Sequence, residues 1–172
     1  MRGVSLLLGS CGVVAAALLW RHLAGQIAVF PGAASIAVRL GLGLAFLLPS
    51  AILVWLMLLV QMAARMVTGA LDPAAGGDGP FLRTNQRIIG NSVEHGIVFG
   101  AGLLALVAGV DAPHMPAIAA LCIVFTVCRV TFWAGYLVTP VGRTIGMAPT
   151  MAITGVTLGW ALMVWAKAAG LV

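Results

Sequence analysis

Apolar residues dominate five stretches of the chain: Val4 to Trp20, Leu40 to Ala64, about Arg83 to Val110, Met115 to Thr139 and Gly146 to Ala166. Arg2 and Arg21 bound the first, and Arg39 and Arg65 bound the second. Each stretch suits a bilayer span, which needs roughly 17–25 apolar residues. Backbone groups in hydrocarbon must be satisfied internally, so a span is a helix or part of a closed barrel. The runs lack the alternation of a barrel strand, and the pattern predicts helices. The third stretch is unusual in its opening. In "RIIGNSVEHGIVFGAGLLALVAGV" an arginine, an asparagine, a glutamate and a histidine lead into almost pure membrane sequence.

Between the spans, residues 21–39 read as a mixed loop broken by Pro31 and Gly32. Residues 66–82, "MVTGALDPAAGGDGPFL", are rich in Gly, Pro and Asp, the clearest loop signal and the one segment long enough to fold over a site. Residues 111–116 form a tight turn, and Pro140 and Gly142 separate the last two helices. The glycine pairs Gly96/Gly100 and Gly155/Gly159 have the i,i+4 spacing that allows close helix approach, a weak signal in a chain with 22 glycines. The expectation is a single all-α membrane domain over residues 1–172, with no soluble catalytic domain.

Composition sharpens this. Of the 172 residues 62% are hydrophobic and 8% are charged, and the mean hydropathy is +1.15. Soluble domains carry about 25% charged residues. An integral, multi-pass membrane protein follows, placed in the cytoplasmic (inner) membrane if the source is bacterial. The net charge of +5 is no argument for nucleic-acid binding, because most of the arginines sit at helix ends. If all five helices span, Arg2, Arg65, Arg83, Arg87 and Arg143 share one side, and Arg21, Arg39 and Lys167 the other. The positive-inside rule then puts the N-terminus and the 65–87 loop in the cytoplasm. Arg2 and the run after it fit a signal peptide, but Trp20-Arg21-His22 is a poor cleavage junction, which favours an uncleaved helix. Cys11, Cys122 and Cys128 lie in apolar segments without metal-ligand spacing and read as packing residues.

Two polar stripes carry the candidate chemistry. On a helix, Arg83, Arg87, Asn91 and Glu94 fall within an arc of roughly 80°. A carboxylate inside the apolar zone costs roughly 2.5–3.5 kcal/mol unless paired or hydrated. The stripe marks either a membrane boundary, with Arg87 reaching for water, or a polar pocket between helices. The second stripe, in "CRVTFWAGYLVTPVGR", sets Arg129, Tyr136 and Arg143 seven residues apart. Arg129 lies well inside the span and needs a partner, for which Glu94 is the natural candidate. Singly, Tyr136 is an interfacial aromatic and Arg143 a helix-end anchor. His95 stands off the first stripe as a boundary residue, and His22 and His114 carry no motif.

R87-x-x-x-N91-x-x-E94 opening one membrane helix, with R129-x6-Y136-x6-R143 on a later one and "GDG" ahead of the first motif, resembles the MAPEG superfamily, the membrane-associated proteins in eicosanoid and glutathione metabolism. The resemblance covers residues 40 to about 168 and implies a MAPEG-like four-helix bundle, to which helix 4–20 is an extra N-terminal transmembrane helix. It implies a homotrimer with glutathione between subunits. It also implies that Arg87, Asn91, Glu94 and Arg129 bind glutathione as thiol co-substrate, that Tyr136 lines the site, and that Arg143 holds the sulfur as thiolate. Arg65 matches a further site arginine more loosely. The chain departs from the pattern in its extra helix, in the Arg83–Arg87 spacing, in "HGIVF" after Glu94 where a proline is common, and at Phe132 and Ile89.

The chemistry stands on its own terms. A free thiol with a pKa of about 8.5 is mostly protonated at neutral pH, and only its thiolate is a strong nucleophile. A guanidinium stays charged in a low-dielectric site and stabilises the thiolate beside it. Arginines suit the two carboxylates of glutathione, and Glu94 suits its ammonium. The leading expectation is a glutathione transferase or peroxidase whose lipophilic electrophile or lipid hydroperoxide enters from the membrane. The rival that the departures motivate is a non-catalytic MAPEG-like protein binding a lipid or a partner helix. Two others are a small transporter or channel subunit using Glu94 and Arg129, and a purely structural membrane subunit.

Overall fold

The computed structural model describes residues 2–172. Five helices cross it: α1 (Arg2–Gln26), α2 (Ile36–Thr68), α3 (Pro80–Gly109), α4 (Met115–Val138) and α5 (Thr144–Ala168), with short 3-10 turns at Pro73–Ala75 and Ala112–His114. All five are long and apolar enough to cross a membrane. The protein is thus an all-α, integral, multi-pass membrane bundle. Many large apolar side chains, among them Leu6, Leu18, Val67, Ile97 and Leu162, face outward. Such a surface is disfavoured in water and natural against lipid.

The helices overrun the apolar stretches. α1 continues through Arg21 and His22, and α2 begins ahead of Arg39 and runs past Arg65. The expected loops shrink accordingly, the 21–39 loop to residues 27–35 and the 66–82 loop to residues 69–79. Hydropathy marks where hydrocarbon ends, whereas a helix continues until its backbone bonding is interrupted. α2, at 33 residues, is about 50 Å long, against a hydrocarbon core of about 30 Å. α2 therefore overruns that core, and Arg65 lies in its last turn. Gly69, with φ of 71°, stops it in the left-handed conformation that favours glycine. Pro80 then starts α3, where its missing N–H costs nothing.

α4 is the hub and packs against all four other helices, while α2, α3, α5 and α1 follow one another in an arc around it. Phe99 of α3 stacks on Phe125 of α4 at 4.0 Å between centroids, amid Leu103, Leu106, Ile118, Leu121 and Val124. α1 docks on α5 and α4 through one small-residue face, Gly9, Gly12 and Ala16. A Cβ at Gly12 would collide with the Ile145 carbonyl, so the two backbones nearly touch. Trp20 adds an indole N–H donated to the Ala117 carbonyl at 2.9 Å. The glycine pairs noted above are not the close crossings: a Cβ at Gly96, Gly155 or Gly159 meets nothing within 4 Å.

Candidate functional site

Arg129 projects from the middle of α4 and is 2% exposed. Its Nη2 donates to Asn91 Oδ1 at 3.0 Å and to Ser92 Oγ at 2.7 Å, both on α3. Its guanidinium lies over the Phe132 ring, 4.2 Å from the centroid. The expected pairing with Glu94 is not formed. Positions 92 and 94 are about 200° apart around a helix, so Arg129 reaches the Ser92 edge while Glu94 turns toward α5. Glu94 is exposed and lines an open groove of about 380 Å³ with His95, Met151 and Thr154. The partners of Arg129 are therefore neutral.

The second stripe forms a ladder. Phe132, over which Arg129 lies, is 5.7 Å from Tyr136, centroid to centroid. Arg143 sits 5.1 Å from the Tyr136 centroid, and its Nη1 donates to the Tyr136 hydroxyl at 3.3 Å. Arg143 belongs to the α4–α5 turn, and glycine is what lets that turn close. A Cβ on either Gly135 or Gly142 would collide with the other's carbonyl oxygen. The Gly142 N–H also donates to the Thr139 hydroxyl at 2.8 Å. Arg143 is exposed, so its charge is open to a ligand.

The first stripe is less buried than a closed pocket requires. Asn91 is half-buried, while Arg83, Arg87 and Glu94 are exposed. Among the described residues Arg87 and Glu94 have no ion-pair partner; the ion pair found there is Arg65–Asp78, at 2.7 Å. Arg65 grips Asp78 with two parallel bonds, of 2.7 and 2.9 Å, and also donates to the Ala70 carbonyl. It thereby pins the 69–79 loop to the end of α2. The structure thus brings Arg129 to Asn91 and Arg143 to Tyr136, and gives Arg65 a loop partner instead.

The sequence reading missed a third polar cluster. Asn85 donates to Gln61 Oε1 at 2.9 Å and to the Met57 carbonyl at 3.3 Å, and it accepts the Trp133 indole N–H at 2.9 Å. Gln61 donates to the Leu82 carbonyl at 3.2 Å. These bonds tie α2, α3 and α4 together, with Trp133 one turn beyond Arg129 along α4. The available signal was Gln61, an amide inside the apolar run of α2, where a buried polar group requires a partner; Asn85, between Thr84 and Gln86, reads as one more polar residue at the start of α3.

The sequence model of the MAPEG family matches residues 40–163, from inside α2 to inside α5. The chain belongs to the MAPEG family of membrane proteins, which associates it with glutathione-dependent lipid metabolism and includes both catalytic and non-catalytic members. α1 lies outside the matched range. No curated protein and no solved structure matches the chain.

Proposed function

We propose that this protein is a membrane-embedded, glutathione-dependent transferase or peroxidase acting on lipophilic electrophiles or lipid hydroperoxides, with the thiol bound between copies of a homotrimer. The observation that carries the reading is Arg143, an exposed guanidinium held over Tyr136 with its charge unpaired. Arg87 and Glu94 support it. They are a cation and an anion two turns apart on one exposed face, without ion-pair partners among the described residues. Charged groups near hydrocarbon call for partners, and a tripeptide with two carboxylates and an ammonium supplies the complementary set.

In this mechanism Arg87 and Asn91 hold carboxylate ends and Glu94 takes the ammonium. Asn91 accepts from Arg129 through its Oδ1, which leaves its Nδ2 free to donate to the ligand. Arg65 stands at the loop and shapes the rim through Asp78. The bound thiol supplies the nucleophile. Arg143 favours its ionised form, and lowering a thiol pKa by about two units takes about 2.7 kcal/mol of differential stabilisation. The proton leaves to water at the exposed end of α4, and the Tyr136 hydroxyl, which accepts from Arg143, keeps its own hydrogen to donate to the sulfur. In a transfer, a sulfur–carbon bond forms as the bond to the leaving group breaks. In a peroxidase reaction, the hydroperoxide is reduced to an alcohol and one water while two thiols, each giving up its proton, are oxidised to a disulfide.

A thiolate ultraviolet difference spectrum tests this directly, on protein mixed with glutathione at neutral pH. The expected result is a thiolate band that disappears in Arg143→Ala. A folded wild-type protein without the band would overturn the proposal and favour the non-catalytic, lipid- or partner-binding reading.

A further inference from the structure

Cys11, Cys122 and Cys128 all read as packing residues along the chain, and the structure separates them. Cys122 is 3% exposed and lies in the apolar core. Cys11 of α1 and Cys128 of α4 instead line one groove of about 290 Å³, between apolar side chains that include Ala15, Leu19, Val124 and Val127; Cys122 takes no part in it. Cys11 is exposed and Cys128 is buried. One thiol is therefore reachable from the bilayer, and the other is shielded behind it.

Two glycines set the level at which these helices meet. A Cβ at Gly12, next to Cys11, would collide with the Ile145 carbonyl, and a Cβ at Gly146 would collide with the carbonyl of Cys128 itself. Ile145 and Gly146 are neighbours, so the backbones of α1, α5 and α4 converge here with a cysteine on each side. A disulfide needs Cα atoms about 4.4–6.8 Å apart. Helices must then lie side by side with small residues between them, as Gly12 and Ala16 allow for α1.

We propose that Cys11 and Cys128 are a redox pair that closes into a disulfide, pinning α1 to α4 when a lipid hydroperoxide reaches the groove from the bilayer. The Cys11 sulfur attacks the terminal oxygen of the hydroperoxide. The O–O bond breaks, and an alcohol leaves with the proton of the Cys11 thiol. The Cys128 sulfur then attacks the resulting sulfenic acid. The sulfur–sulfur bond forms as the sulfur–oxygen bond breaks, and water leaves with the second thiol proton. α1 lies outside the range matched by the family, and Cys128 lies inside it, so the bond ties the added helix to the family bundle. The pair does not depend on the glutathione reaction proposed above.

The test uses the full chain, reduced, in nanodiscs. It is treated with cumene hydroperoxide without glutathione, then unfolded, alkylated with N-ethylmaleimide and mapped by peptide mass spectrometry. Cys11 and Cys128 should be recovered in one cross-linked peptide pair that dithiothreitol releases. Alkylation at both should fall about tenfold while Cys122 stays alkylated, because oxidation follows access. In Cys11→Ala, a change at an exposed position that leaves the packing intact, Cys128 should stay as fully alkylated as Cys122. Oxidation of Cys11 to the sulfinic acid without a cross-link would leave both thiols as packing residues. A Cys11–Cys11 link between copies, or a link through Cys122, would assign the oxidation to other contacts, and full alkylation of all three would remove the pair. Each of these overturns the proposal. A missing thiolate band with the cross-link formed would strike the proposed reaction and leave the pair standing.

Discussion

Arg129 and Arg143 each lie beside an aromatic ring, at 4.2 Å from the Phe132 centroid and 5.1 Å from the Tyr136 centroid. They belong to one stripe of the sequence, yet their surroundings differ. Arg129 is 2% exposed and tied to α3, whereas Arg143 stands at the exposed start of α5 and touches α4 through one phenol. A guanidinium keeps its charge in both places, so burial decides its use. Inside the bundle the charge sets the orientation of Asn91 and holds α3 against α4. At the edge it remains available to a ligand from outside the chain.

The contrast is sharpest in catalysis. Arg143→Ala should lower kcat/KM by about a hundredfold or more, the scale seen when one stabilising donor is lost from an active site. Thermal stability should barely change, since surface substitutions away from special features usually stay within about 0.5 kcal/mol. A large loss of stability would show that Arg143 is a structural anchor instead. Asn85→Ala should do the opposite. It leaves the Trp133 indole N–H and the Gln61 side-chain oxygen without partners and should destabilise by about 1–3 kcal/mol. Activity per folded molecule should hold, as measured by thermal unfolding alongside turnover.

Arg129→Met falls between these two. Apolar replacement of a buried charge is often neutral or stabilising, and here two guanidinium nitrogens already lack partners. The unfolding temperature should stay level or rise while glutathione affinity drops about tenfold, because Asn91 loses a charge-assisted hydrogen bond worth about 1.5–3 kcal/mol. A fall in stability would show that the charge is paired in the assembled protein. The smallest effect is expected at Asp78→Asn, which weakens a partly exposed ion pair worth about 0–1 kcal/mol. Global stability should scarcely move, but limited proteolysis within the 69–79 loop should speed up, because Arg65 loses its grip on it.

Much of the bundle was legible in the chain because a bilayer imposes a simple rule, that every span must be long, apolar and internally bonded. The five spans, the outlying first helix and the two stripes all follow from it. The helix ends did not, since Arg21 and Arg65 look like boundaries to hydropathy and lie within helices. The pairing of Arg129 with Glu94 failed for a related reason. The two look complementary on paper, but helix rotation sets Glu94 toward α5 and leaves Arg129 to Asn91 and Ser92. Gln61, Asn85 and Trp133 were overlooked because single polar residues on three different helices form no local pattern.

The amino-acid sequence by itself determined the membrane class, the number of spans and the family pattern of arginines, because these depend on composition and on spacing along one helix. Only the tertiary structure decided which arginine is buried, which stays open, and that two buried donors of Arg129 have no partner among the described residues. Those outcomes depend on how α2, α3 and α4 are rotated and how closely they approach. That geometry arises from packing between residues far apart in the chain, and spacing along any one helix carries no record of it.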